Sequence, residues 1–167
     1  MYHIKDDLRS QKTAQKIYRS IRRILWTKPL SEITITDIKN DCGVSRSSFY
    51  RNFDNILDPM TMKLDQFIQD YMEQSAAIDV NDHILFFFEY WNYHSDFITI
   101  LSTQGYGYII MESFKKVTPD INKYDIAVKI SIMSTLLITW NKNKKKESPQ
   151  KMAEITYDIL HSDSLLF

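Results

Sequence analysis

Three glycines and four prolines in 167 residues leave this chain few places to turn sharply. That is about 4% of positions, where an ordinary protein has roughly 12%. Turn-rich β-sandwiches and doubly wound sheets need more of both residues. Disordered chains need fewer apolar ones than the 44% present. The remaining solution is helix packed on helix, and a chain of this length buries roughly 68–70% of its unfolded surface without help from a disulfide or a metal. The single Cys42 excludes a disulfide framework and suits a reducing compartment. No apolar run nears the ~18–20 residues of a membrane span, Ile84–Phe88 being among the longest. Lys5, Asp6, Asp7, Arg9, Lys12 and Lys16 near the N-terminus leave no signal-peptide core. The expectation is an all-α, cytoplasmic protein with no membrane contact.

A zero net charge conceals an uneven distribution. Residues 1–60 carry 11 basic and 7 acidic side chains, residues 61–167 carry 10 and 14. A basic half is a reason to ask whether that half meets a polyanion, and its helical pattern supports the question. Ala14, Ile17, Ile21, Ile24 and Leu25 form one apolar stripe on a basic helix running from about Asp7 to Trp26. Lys28-Pro29 ends it. Thr34 to Asp37 fits a capping box, which opens a short helix to about Asp41. Gly43 can take the left-handed conformation that stops this helix. Ser45 then offers an N-cap for a second short helix, Arg46 to about Asn52. Two short helices around Cys42-Gly43-Val44 have the outline of a helix-turn-helix. Ile17, Ile21, Leu30, Ile35, Ile38, Val44, Phe49 and Phe53 are its expected core.

Further helices are expected around Asp58-Pro59, with Asp58 as N-cap and Pro59 in the first position or else a kink there, and over Asp82–His94, Asp96–Gln104, Tyr108–Val117, Asp125–Asn141 and Pro149–His161. Gly105-Tyr106-Gly107 and Thr118-Pro119-Asp120 are breaks, and Lys142–Glu147 is a polar connection. His83 and His94 stand eleven residues apart, about 16 Å of helix rise, too far to share one metal. No glycine-rich phosphate loop, nucleophile elbow or metal-ligand cluster points to an enzyme or a cofactor.

The combination Thr34, Ile35, Gly43-Val44-Ser45, Phe49-Tyr50 and Phe53 closely resembles the DNA-binding domain of the TetR family of transcriptional repressors. The resemblance covers about residues 9–60. It implies a three-helix helix-turn-helix domain at 1–53 and a helical effector-binding and dimerisation domain at 54–167. Double-stranded DNA with a pseudo-palindromic operator would be the partner. By the same resemblance Thr34 and Thr36 lie where family members touch phosphates. Arg46, Ser47 and Ser48 occupy the positions facing base edges, Tyr50 matches a phosphate-contacting tyrosine, and Asn52 replaces a frequent histidine. Lys39 and Cys42 stand where alanines are common. Ile56 stands where a phosphate-contacting lysine is common, which removes one contact and lowers the salt dependence of binding. The last two helices (about 125–141 and 149–161) are expected to form a homodimer. The dense aromatic run Phe86–Phe97, with Tyr106 and Tyr108, falls where the family binds small apolar or amphipathic effectors, and Tyr90, Trp91 and Tyr106 are the expected lining residues. The alternative is a protein of the same fold that binds a protein partner or a ligand without reading DNA.

Overall fold

The computed structural model describes residues 1–117 and 123–161. Among them the regular structure is helical: α1 (Leu8–Ile24), α2 (Ile35–Cys42), α3 (Arg46–Tyr50), α4 (Asp58–Ser75), α5 (His83–Tyr93), α6 (Ser95–Thr103), α7 (Tyr108–Val117), α8 (Lys123–Lys142) and α9 (Pro149–His161). Short 3-10 turns, Leu30–Glu32 and Val80–Asp82, precede α2 and α5. The expected loop at Thr118-Pro119-Asp120 lies outside the described residues. Among those described, no helix is long and apolar enough to cross a membrane. The chain divides into two compact units, Met1–Gln66 and Phe67–Phe167. The division falls within α4, after Gln66, where the sequence had placed it after residue 53.

In the first unit, Asp7 caps α1 by accepting the Ser10 amide at 2.8 Å. One face of α1 then buries Ala14, Ile17 and Ile21. These join Leu30, Ile38, Val44, Phe49, Phe53, Met60 and Leu64 in a single core. Each fully buried Ile, Leu or Phe contributes roughly 1.5–3 kcal/mol of transfer free energy. Ile35, expected in this core, is only half-buried, because the first position of α2 faces away from it. The start of α4 also differs from expectation. Asp58 does not cap the helix forward; its carboxylate turns back to the amides of Asp54 (2.8 Å) and Asn55 (3.2 Å). Asn55 Oδ1 is the forward cap, accepting from Leu57 (2.9 Å) and Asp58 (3.1 Å). Pro59 has no N–H for the Asn55 carbonyl, which takes the Asp58 amide instead at 3.3 Å.

In the second unit α5 packs on α9, and α6 and α7 pack on α8. Phe88, Trp91, Ile98, Leu101, Ile110 and Leu137 are completely buried. Gly105, at φ 84°, makes the break between α6 and α7. Ser148 caps α9 by accepting the Lys151 amide at 3.1 Å, with Pro149 in the first helical position. The polar connection before it is more built than its composition suggests. Lys144 and Lys145 both adopt left-handed backbone, at φ 60° and 51°. The Lys145 amide donates to the Trp140 carbonyl at 2.9 Å, closing off α8. Its ammonium donates to Asn92 Oδ1 (2.9 Å) and Ser95 Oγ (2.7 Å) at the α5–α6 junction. Along α8, Tyr124 and Val128 are exposed and Ile132 and Leu136 half-buried, an apolar stripe at four-residue spacing.

Candidate nucleic-acid interface

The local sequence around α2 determines which of its donors are free. Thr34 Oγ1 accepts the Asp37 amide (3.2 Å), while the Thr34 amide (2.7 Å) and hydroxyl (2.6 Å) donate to Asp37 Oδ2. This is the capping box expected from the sequence. Lys28 Nζ adds an ion pair to the same oxygen. The Lys28 ammonium first, and the Thr34 donors second, hold the Asp37 carboxyl down at about 2. Thr34 therefore secures the helix, its one hydroxyl proton being directed at Asp37. The exposed Thr36 hydroxyl and the first-turn amides of Ile35 and Thr36, which no helix satisfies internally, are the donors left at this end.

Gly43 ends α2 at φ 72°, its amide donating to the Lys39 carbonyl at 2.7 Å. A side chain there would meet no neighbour within 4 Å, so the backbone conformation and not space requires glycine. Ser45 then caps α3 by accepting the Ser48 amide at 3.2 Å. Its hydroxyl also lies 3.1 Å from Ser47 Oγ and 3.0 Å from Ser48 Oγ, and Arg51 Nη2 donates to Ser48 Oγ at 2.9 Å. Phe49 anchors the short helix: it is fully buried against Phe53, ring centroids 5.7 Å apart. With Phe49 inward, Arg46, Ser47 and Tyr50 point outward, Tyr50 at 44% exposure, and Ser48 is half-buried. The Arg46 guanidinium sits 5.5 Å from the Tyr50 ring centre. A cation–π contact at such an exposed place is worth about 0.5–1 kcal/mol, enough to bias the arginine toward one orientation.

Asn52 is set apart from this outward group. It is buried, and its side-chain amide donates to the Ser48 carbonyl at 2.8 Å. Its own carbonyl accepts the His3 amide at 3.0 Å. Beside it, Tyr2 bridges Phe53 as an isolated antiparallel pair, and the Tyr2 hydroxyl donates to Asp65 at 2.8 Å. The segment ahead of α1 is thus clipped along the end of α3. Sequence reasoning missed a further group: Lys5, Arg9 and Arg51 border a cleft of about 250 Å³ with Ser48, Asn52 and Asp7. Arg51 lies between the buried Phe49 and Phe53, two residues from each, and part of the signal was available in the basic residues Lys5, Arg9 and Lys12. The pairing of α1 with α3 was not.

The residues expected to line a ligand pocket are not gathered in one place. Trp91 is fully buried core. The Tyr90 hydroxyl lies 2.7 Å from the Phe67 carbonyl and 2.8 Å from Asp70 Oδ2, and burial together with Asp70 pushes its ionisation far up. Tyr106 is half-buried at the α6–α7 break. A cavity does exist in the second unit, bordered by Tyr71, Phe87, Phe114, Ile130, Met133 and Ser134, and none of the three expected residues borders it.

No protein-family model matches the sequence, and no curated protein is detectably similar to it. Among solved structures, the crystal structure of Lin0861 from Listeria innocua superposes with a TM-score of 0.76 at 17% identity, covering 95% of this chain and 94% of that one. At that identity the likeness speaks for the fold alone.

Proposed function

We propose that this chain is a DNA-binding transcriptional regulator of the TetR type, a repressor released from its operator by a small molecule. Acting as a homodimer through α8 and α9, it reads two half-sites about 34–36 Å apart, one turn of duplex. The observation that carries this reading is α3 itself. Five residues, capped by Ser45 and anchored by Phe49, hold Arg46, Ser47 and Tyr50 outward. Arg46 can bridge guanine O6 and N7, worth roughly 1–3 kcal/mol of discrimination against the wrong base. Tyr50, Thr36, Lys5, Arg9 and Arg51 supply donors for backbone phosphates, which set register and affinity. The uncovered stripe of Tyr124, Val128, Ile132 and Leu136 is what a second copy would cover. A ligand-linked coupling of about 1–3 kcal/mol would give a 5–150-fold change in operator affinity.

The test is selection of bound duplexes from a random library, followed by fluorescence anisotropy on the enriched site. The expected result is a pseudo-palindrome whose preference over scrambled DNA falls about 5–150-fold in Arg46→Ala, with nonspecific binding retained. A second reading, a protein of this fold that acts without DNA, draws support from two features. Ile56 occupies the start of the α4 turn where a lysine would touch phosphate, and Arg23 and Lys28 are paired with Asp41 and Asp37. Failure to enrich any sequence at low salt, with the dimer intact, would decide for that second reading.

A further inference from the structure

The cavity in the second unit has a volume of about 200 Å³ and a lining whose chemistry narrows what can enter. Three rings form one wall: Tyr71 and Phe87 lie 5.8 Å apart edge-to-face, Phe87 and Phe114 6.0 Å, and Tyr71 and Phe114 6.2 Å edge-to-face. Ile130 and the Met133 thioether, a favourable neighbour for an aromatic ring, form part of the other. An apolar cavity of roughly 150 Å³ takes one benzene, so this one fits a single ring with a short substituent or two small fused rings.

Ser134 supplies the polar element. It borders the cavity, is 3% exposed, and its hydroxyl has no hydrogen-bond partner. A helical serine normally donates back to the carbonyl one turn earlier, as Ser131 does to Ala127 at 2.7 Å. Ser134 makes no such bond, and a buried donor without a partner is costly. Ser102 and Ser113 are also buried without partners, but of the three only Ser134 lines the cavity. The charge around the site is already compensated. Lys129, at the rim, pairs with Asp125 at 2.7 Å, and burial raises the Tyr71 phenol to about 12, so it stays neutral. Among the described residues bordering the cavity the one cation, Lys129, already faces a carboxylate, so an anionic guest would lose its hydration with little charge to offset it.

We infer that this cavity binds an uncharged aromatic molecule of one ring or two small fused rings, carrying one hydrogen-bonding group that meets Ser134. That this molecule is the effector rests on the regulator reading above; that it binds does not. Calorimetric and ligand-detected NMR titrations of the full chain with phenol, indole, toluene and benzoate test it. Phenol and indole should saturate at one per chain, with toluene about three- to tenfold weaker for want of the hydrogen bond and benzoate weaker still. Ser134→Ala should bring phenol and toluene to equal affinity, while Phe114→Trp should fill the space and abolish both, with the helical circular dichroism of each variant as a folding control. Equal binding of phenol and toluene to the native chain, an unchanged phenol preference in Ser134→Ala, or no binding of any probe would overturn the inference. Binding as expected with no change in operator affinity would leave the cavity assignment standing and refute its regulatory role.

Discussion

Exchanging Lys144 and Lys145 singly for glycine should move the stability of the chain in opposite directions. Both residues sit in left-handed backbone, where an L side chain costs about 1–2 kcal/mol. Glycine removes that strain but brings about 0.5–1 kcal/mol of extra unfolded-state freedom. Lys144 is exposed, so Lys144→Gly should be stabilising by about 0.5–1 kcal/mol, the difference of the two. Lys145 gains the same relief, yet it loses two ammonium hydrogen bonds, to Asn92 at 2.9 Å and Ser95 at 2.7 Å. A charged hydrogen bond is worth about 1.5–3 kcal/mol when well shielded, and about half that at a half-buried site. Lys145→Gly should therefore be destabilising by about 1 kcal/mol net. Lys145→Met keeps the strained backbone and loses the bonds, so it should fall lowest. The measurement is a urea titration at fixed protein concentration, comparing midpoints at unchanged slope. In a chain of this size 1 kcal/mol corresponds to about 2–4 °C in melting temperature. If Lys145→Gly proves as stabilising as Lys144→Gly, the ammonium contributes nothing and the reasoning fails.

Three other outcomes can be checked separately. On the proposed regulator reading, Ile56→Lys should add a phosphate contact and steepen the dependence of log affinity on log salt by about 0.9, read from anisotropy titrations at several salt concentrations; an unchanged slope would place residue 56 away from the duplex. Asp37 titrates near 2 in the folded chain against about 3.9 unfolded, so the stability it lends is complete above about pH 4 and fades as the pH falls toward 2. Asp37→Asn should accordingly flatten the fall of melting temperature between pH 4 and 2, and an identical fall in both proteins would remove Asp37 as its source. Val128→Glu alters a side chain that is 54% exposed, so it should leave the fold intact; on the proposed homodimer through α8 and α9, the native chain sediments as a dimer and the variant as a monomer in analytical ultracentrifugation, and a variant that persists as a dimer would move the interface off α8.

What could be read from the residues in advance was whatever the chain decides within a few positions. Thr34 with Asp37, Gly43, Ser45, and Ser148 with Pro149 all act on backbone groups less than one turn away, and each appears where expected. The start of α4 shows the limit of that locality. Asn55 and Asp58 can each cap, and the choice depends on Pro59 denying an amide to the Asn55 carbonyl while Asp58 turns toward Asp54. Contacts across long stretches of chain were out of reach. Lys145 looked like one of several solvated lysines because its partners are about fifty residues away. The aromatic run was legible as a cluster, but not which ring would face an opening. Phe87 borders the cavity while Trp91, one turn on, is sealed in the core, and Tyr71 comes from another helix. Ser134, one of two serines in an apolar helix, carried no local mark of its unmet hydroxyl.

The strand-like pairing of Tyr2 and His3 with the end of α3 has a practical corollary. Any extension joined ahead of residue 1 emerges next to the five-residue helix. If that helix meets DNA, a histidine-rich or lysine-rich leader would lend it unspecific attraction, and an acidic leader would repel the duplex. Purification handles are therefore best attached at the far terminus, and affinities measured with and without an N-terminal handle should differ most at low ionic strength.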